Sequence, residues 1–171
     1  MTSEEKRKAH YALPSATRKE MAEMKVFKEF ISASALSVDP GTAKNEKPPI
    51  PDIRCTIDGT PYMFELGEIT DEELAEKIAV CERTQTDGEG GFFSEEGPLV
   101  RMILKKAQST YQTGGVLLDL VLHYDRQYPF APVEYLDRHE AEISTAMTPK
   151  GPFSRIWIYD SWEKRILWKR A

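Results

Sequence analysis

Pro51-Asp52-Ile53-Arg54-Cys55-Thr56-Ile57-Asp58-Gly59-Thr60-Pro61-Tyr62-Met63-Phe64-Glu65-Leu66-Gly67 reads as a β-hairpin. Asp58-Gly59 is a strong two-residue turn signal, because both positions must tolerate a positive φ. With these two residues in the loop, Ile57 pairs with Thr60 and the register counts outward one residue per strand. Pro61, which has no N–H, then falls at a non-hydrogen-bonded pair, as it must. Ile53, Cys55, Ile57, Tyr62, Phe64 and Leu66 share one face, which is apolar and calls for a packing partner. Asp52, Arg54, Thr56, Met63, Glu65 and Gly67 share the other, which is expected to carry the chemistry. Asp52 falls directly opposite Glu65. Cross-strand Cβ atoms lie about 4.5–5.5 Å apart, and like charges there repel. A divalent metal is the best reason for such a pair.

Outward from the hairpin, the pattern alternates helices and strands. Residues 1–14 carry charge with little periodicity and are expected to form a flexible tail, leaving 15–171 as a single domain. Thr17-Arg18-Lys19-Glu20 fits a capping box. Met24, Phe27 and Ile31 follow at helical spacing, with Val26 and Phe30 widening the stripe, and the helix should end near Ser34. Residues 39–51 hold four prolines and read as a loop. Downstream, Thr70-Asp71-Glu72-Glu73 is a second capping box opening a helix to about Arg83, and residues 84–98 read as a mobile loop. Pro98 suits a first helical turn. Leu99, Val100, Ile103, Leu104, Ala107 and Tyr111 form the stripe of a helix that Gly114-Gly115 should stop.

The apolar run from Val116 to Tyr124, Val-Leu-Leu-Asp-Leu-Val-Leu-His-Tyr, reads as a central strand buried on both faces. A helix around residues 133–147, a strand over 154–160 and a last strand over 163–169, with Ile166 and Trp168 inward, complete the order. The expected fold is α/β (α+β): a mixed central sheet containing the hairpin, flanked by helices.

The chain has 171 residues, 40% hydrophobic and 30% charged, with a net charge of -5. That length suits one domain with a full core. The acidity argues against a broad nucleic-acid footprint but leaves room for a local basic cleft. No apolar run reaches membrane-spanning length, and no secretory signal is visible. The two cysteines, Cys55 and Cys81, lack metal-site spacing. A reduced, cytoplasmic protein is expected, with Cys55 a small core residue.

The arrangement of Pro51-Asp52, Glu65 on the next strand, a helix with Lys106 and Tyr111, and then a buried strand resembles the PD-(D/E)XK nuclease superfamily. The resemblance runs from about Thr17 to Tyr124 and implies a restriction-endonuclease-like fold. It also implies a Mg²⁺- or Mn²⁺-dependent phosphodiester hydrolase. Asp52, Glu65 and the carbonyl of Leu66 would be the metal ligands, and nucleic acid the substrate, DNA before RNA. Mg²⁺ suits such a set, since it takes few carboxylates and keeps waters or phosphate oxygens.

Where the family places its lysine, two residues after Glu65, this chain has Gly67. The family sometimes supplies that lysine from the neighbouring helix, and here Lys105 and Lys106 are the candidates. Lys106 lies about 90° from the centre of the apolar stripe and Lys105 nearly opposite it. Lys106 can therefore reach a cleft or snorkel on a solvated flank, while Lys105 should face solvent. A glutamate on the first helix often completes the site. Glu23 suits that role or an ordinary surface one, and Glu20 is already used by the capping box. Glu68 could stand behind the site or favour the next helix dipole. Tyr111 and Gln108 match polar and aromatic residues of that helix, with Tyr111 expected in the core, and His123 is expected to be a core or edge residue.

Three functions follow. The first is a metal-dependent nuclease with Asp52, Glu65, Lys106 and Glu23 as its catalytic set. The second is a degenerate nuclease-fold protein, a binding module for nucleic acid, a protein partner or a second copy of itself. The third, a glycosidase-type carboxylate pair, needs about 5–9.5 Å between carboxyls and a sugar cleft that the sequence does not show.

Overall fold

The computed structural model describes residues 13–69, 98–124 and 133–171. The expected tail, the second capping box with its helix, the loop over 84–98 and Cys81 lie wholly or almost wholly outside them.

The described residues form a six-stranded mixed sheet and three α-helices. In chain order these are α1 (Ser15–Ser34), β1 (Lys44–Asn45), β2 (Ile53–Ile57), β3 (Thr60–Glu68), α2 (Pro98–Ala107), β4 (Leu117–Tyr124), a 3-10 turn (Val133–His139), α3 (Glu140–Ala146), β5 (Arg155–Asp160) and β6 (Arg165–Arg170). The spatial order is the sequence order. β3–β4 and β4–β5 run parallel, and the remaining pairs antiparallel.

The hairpin has the expected register, with Ile57 opposite Thr60 and Ile53 opposite Phe64. Asp58 and Gly59 both take positive φ, 49° and 75°, which matches the right-handed twist of the two strands. The apolar underside packs as expected. Ile53, Cys55, Ile57, Phe64 and Leu66 lie with Val121, Trp157 and Tyr159 beneath Phe27 and Phe30 of α1. Phe30 meets Trp157 and Tyr159 edge-on at 5.3 and 5.9 Å, a favoured arrangement of ring quadrupoles. Burial pushes the Cys55 thiol up to about 12, so it stays a neutral core group.

The opposite sheet face is less polar than expected. Met63 is fully buried there, packed with Leu99, Val100 and Ile103 of α2 and with Leu118, Leu120 and Leu122. Only the far end of that face, at Glu65 and Gly67, opens to a cavity. β4 is the central strand, buried on both faces from Leu118 to His123.

Several boundaries differ from the reading of the sequence. α1 starts at Ser15, behind Pro14, and has no side-chain cap. The Pro14 carbonyl takes the Arg18 N–H at 3.1 Å, which puts Thr17 inside the first turn rather than at its cap. The loop over 39–51 contributes the two-residue strand β1. α2 ends at Ala107, seven residues before Gly114-Gly115, and Tyr111 lies beyond it. The helix expected around 133–147 is split into the 3-10 turn and α3. A bulge in β6 pairs Ile158 with Trp168 and Tyr159 with Ile166, so Leu167 is the extra residue. Ile166 and Trp168 therefore pack on opposite faces of the sheet rather than on one.

No helix among the described residues is long and apolar enough to cross a membrane.

Candidate active site

The site forms where β2 ends early. Asp52 lies one residue before β2 and, by continuing its register, across from Glu65. Its Oδ2 accepts the Leu66 N–H at 2.9 Å. By the alternation of the ladder, that N–H would next have paired with residue 51. The carboxylate of Asp52 thus satisfies a backbone donor of β3 and is held at the mouth of the sheet edge.

Glu65 projects from the middle of β3 and is 13% exposed. Lys106 comes to it from the last turn of α2. Its Nζ donates to Glu65 Oε1 at 2.7 Å and to the Leu66 carbonyl at 2.9 Å. Of the two candidate lysines, Lys106 is the one that reaches Glu65. Lys105 is exposed, yet it stands at the rim of the same cavity rather than away from it.

Gly67 belongs to this arrangement. A Cβ built there would come within 2.6 Å of Leu122 Cδ2 and 3.4 Å of Lys106 Cε. The tight contact is with Leu122, and the end of the Lys106 side chain lies against the same strand position.

The cavity has a volume of about 610 Å³. Lys19, Ala22, Glu23 and Val26 of α1 form one wall, Pro48, Pro49 and Ile50 another, and Met102, Lys105, Lys106 and Tyr111 a third. Asp52, Glu65, the Leu66 backbone, Glu68 and His123 also line it. Among the described residues, four carboxylates and three lysines line it.

Glu23 rather than Glu20 reaches this space. Glu23 pairs with Lys19 at 3.1 Å, whereas Glu20 offers its backbone carbonyl to Asn45 Nδ2. Tyr111 combines both expected characters: it packs against Phe153 at 5.8 Å, lines the cavity, and donates its hydroxyl to the Lys106 carbonyl at 3.0 Å.

The electrostatics show crowded negative charge. Glu65 is raised above the usual carboxylate range by burial and then by Asp52, with Lys106 opposing. Glu23 is raised by burial and by Asp52, with Lys19 opposing. Lys19 is raised by its bond to Glu23 and by the charges of Asp52 and Glu65, against desolvation. Lys19 was not singled out from the sequence, although its spacing of four from Glu23 is the helical ion-pair spacing that could have found it.

Among the described residues, no group of three or more His, Cys, Asp or Glu side chains is placed to hold a metal ion. Among the described residues, Asp52, Glu65 and the Leu66 carbonyl are the donors that the sequence reading assigns to a cation. That is an all-oxygen set, sparse enough for Mg²⁺, which keeps several waters. The raised carboxylates are the surplus charge that such an ion relieves. The donors fit the ion, with Lys106 already resting on two of them.

No protein-family model, curated protein or solved structure matches the chain.

Proposed function

We propose that this chain is a divalent-cation-dependent phosphodiester hydrolase acting on nucleic acid, with a restriction-endonuclease-like fold. The observation that carries the reading is the Lys106 ammonium, brought from α2 across Gly67 to Glu65 and the Leu66 carbonyl, beside Asp52.

Asp52, Glu65 and the Leu66 carbonyl are the residues that would hold Mg²⁺ or Mn²⁺. Such an ion, when bound, lowers the pKa of a coordinated water and neutralises charge on the phosphate. Lys106 supplies a fixed positive charge where a phosphate oxygen gains negative charge, with no reorganisation at the moment of reaction. The Leu66 N–H orients Asp52. Glu23, paired with Lys19, lines the same cavity as Asp52 and would accept a proton from water on that side. Its raised affinity for protons suits a general base more than an unshifted carboxylate would.

A second reading, a nuclease-fold protein that binds without cleaving, is favoured by the same ammonium, which neutralises Glu65 without any metal. The two readings part in an assay of labelled DNA and RNA with Mg²⁺ or Mn²⁺. Cleavage by the wild type that disappears in Asp52→Ala supports hydrolysis. Binding without cleavage, unchanged by Asp52→Ala, supports the alternative.

A further inference from the structure

We propose that the cavity takes a single strand of nucleic acid, one nucleotide at a time, and does not accept an intact duplex. This rests on the hydrolase reading and names its substrate class.

Size is the first argument. The cavity, about 610 Å³, lies in the range of small-molecule pockets, about 300–1,000 Å³. Glu65 and Lys106 are recessed within it, 13% and 29% exposed. A strand end or an unstacked nucleotide can enter such a space. A base-paired nucleotide would first have to leave its stack, at a cost of a few kcal/mol.

Charge is the second. A duplex carries about one negative charge per 1.7 Å of axis and is held by rows of basic side chains. Among the described residues the lining offers three lysines against four carboxylates, on a chain whose net charge is -5. That balance suits one phosphodiester at Lys106 and no extended backbone.

The third is the wall beside Lys106. Tyr111 is pinned twice, by its hydroxyl on the Lys106 carbonyl and by its ring against Phe153. Ile50 and Met102 line the same space. A preset aromatic ring next to a phosphate-binding cation is the combination that holds an unpaired base by stacking, whatever its identity.

The test is fluorescence anisotropy of the full chain in Ca²⁺ buffer. One probe is a short labelled thymidylate strand, the other a labelled duplex of about twenty base pairs, in the regime where phosphate contacts are read from salt dependence. The strand should bind at least about tenfold more tightly, with a shallow salt dependence, as expected for one or two phosphate contacts. Tyr111→Leu should weaken strand binding about tenfold, and Tyr111→Phe, which keeps the ring but loses the bond to the Lys106 carbonyl, should weaken it less than Tyr111→Leu does. Equal or tighter binding of the duplex overturns the proposal. So does a Tyr111→Leu variant, folded by circular dichroism, that binds the strand as well as wild type. If the duplex is bound and cleaved with Mg²⁺ while the strand is not, the substrate class fails and the hydrolase reading stands. If neither is bound or cleaved, both fall.

Discussion

Two ion pairs in this molecule share one distance and differ in nearly everything else. Lys106 Nζ meets Glu65 Oε1 at 2.7 Å, and Arg155 Nε meets Asp119 Oδ2 at 2.7 Å. Asp119 is fully buried on β4 and also accepts the Trp157 indole N–H at 3.1 Å. Arg155 lies over the rings of Tyr62 and Trp157, at 5.0 and 5.5 Å. Aromatic rings close this pair, and neither of its residues lines the cavity. Glu65 and Lys106 instead open onto the cavity, with Asp52, Glu23 and Lys19 around them. Contact distance does not separate a closed pair from an open one. Surplus charge and access do.

The largest expected effect falls on the closed pair. Asp119→Ala leaves a mostly buried guanidinium, 18% exposed, without its partner. Chemical denaturation should show a loss of about 3–5 kcal/mol, while the folded fraction keeps its activity. An activity loss at full stability would mean that this pair serves function after all.

Lys106→Met should behave the other way. Hydrolysis should fall at least about a hundredfold, with stability within about 1 kcal/mol of wild type, because the pair is partly exposed. The same variant frees Glu65 Oε1 and the Leu66 carbonyl from the ammonium, so calorimetry should show Mn²⁺ binding more tightly. Weaker Mn²⁺ binding would mean that Lys106 builds the site rather than shares its donors.

Gly67→Ala tests the link between glycine and lysine. The added methyl clashes with Leu122 and touches the end of Lys106, so stability should drop by about 1–3 kcal/mol and activity should fall with it. Unchanged activity would separate the glycine from the placement of Lys106.

The smallest effect is a pH dependence. Burial raises Asp119 to about 6 from 3.8, against the pull of Arg155 and Trp157. The folded state therefore binds the proton more tightly than the unfolded chain. The resulting stability is fully present below the unfolded value and is lost as pH rises through about 6. Between pH 7 and pH 5, wild type should gain about 1 kcal/mol relative to Asp119→Asn. Denaturation midpoints that differ between the two proteins by the same amount at both pH values would contradict this.

The parts of the molecule legible in sequence are those governed by local rules. The Asp58-Gly59 turn and the alternation around it gave the register, and with it the placement of Asp52 beside the strand of Glu65. Helical spacing separated Lys106 from Lys105, because the wheel depends only on residue number. The apolar run of β4 marked the centre of the sheet. What escaped depends on distant partners. Asp119 was read only as part of the apolar run of β4, and its partner Arg155 lies 36 residues on. The bulge at Leu167 arises where β6 fits against β5 and has no turn residue to announce it. The capping box at Thr17 lost to Pro14, whose extended backbone starts α1 earlier. The end of α2 at Ala107 comes seven residues before Gly114-Gly115.

The central claim is that Asp52 and Glu65 form a divalent-cation site. Calorimetric titration of Mn²⁺ into the wild type and into Asp52→Ala tests it most directly. One saturable site per chain in the wild type, lost in Asp52→Ala, is the expected result. No saturable binding to the wild type, or binding that survives the substitution unchanged, would contradict it.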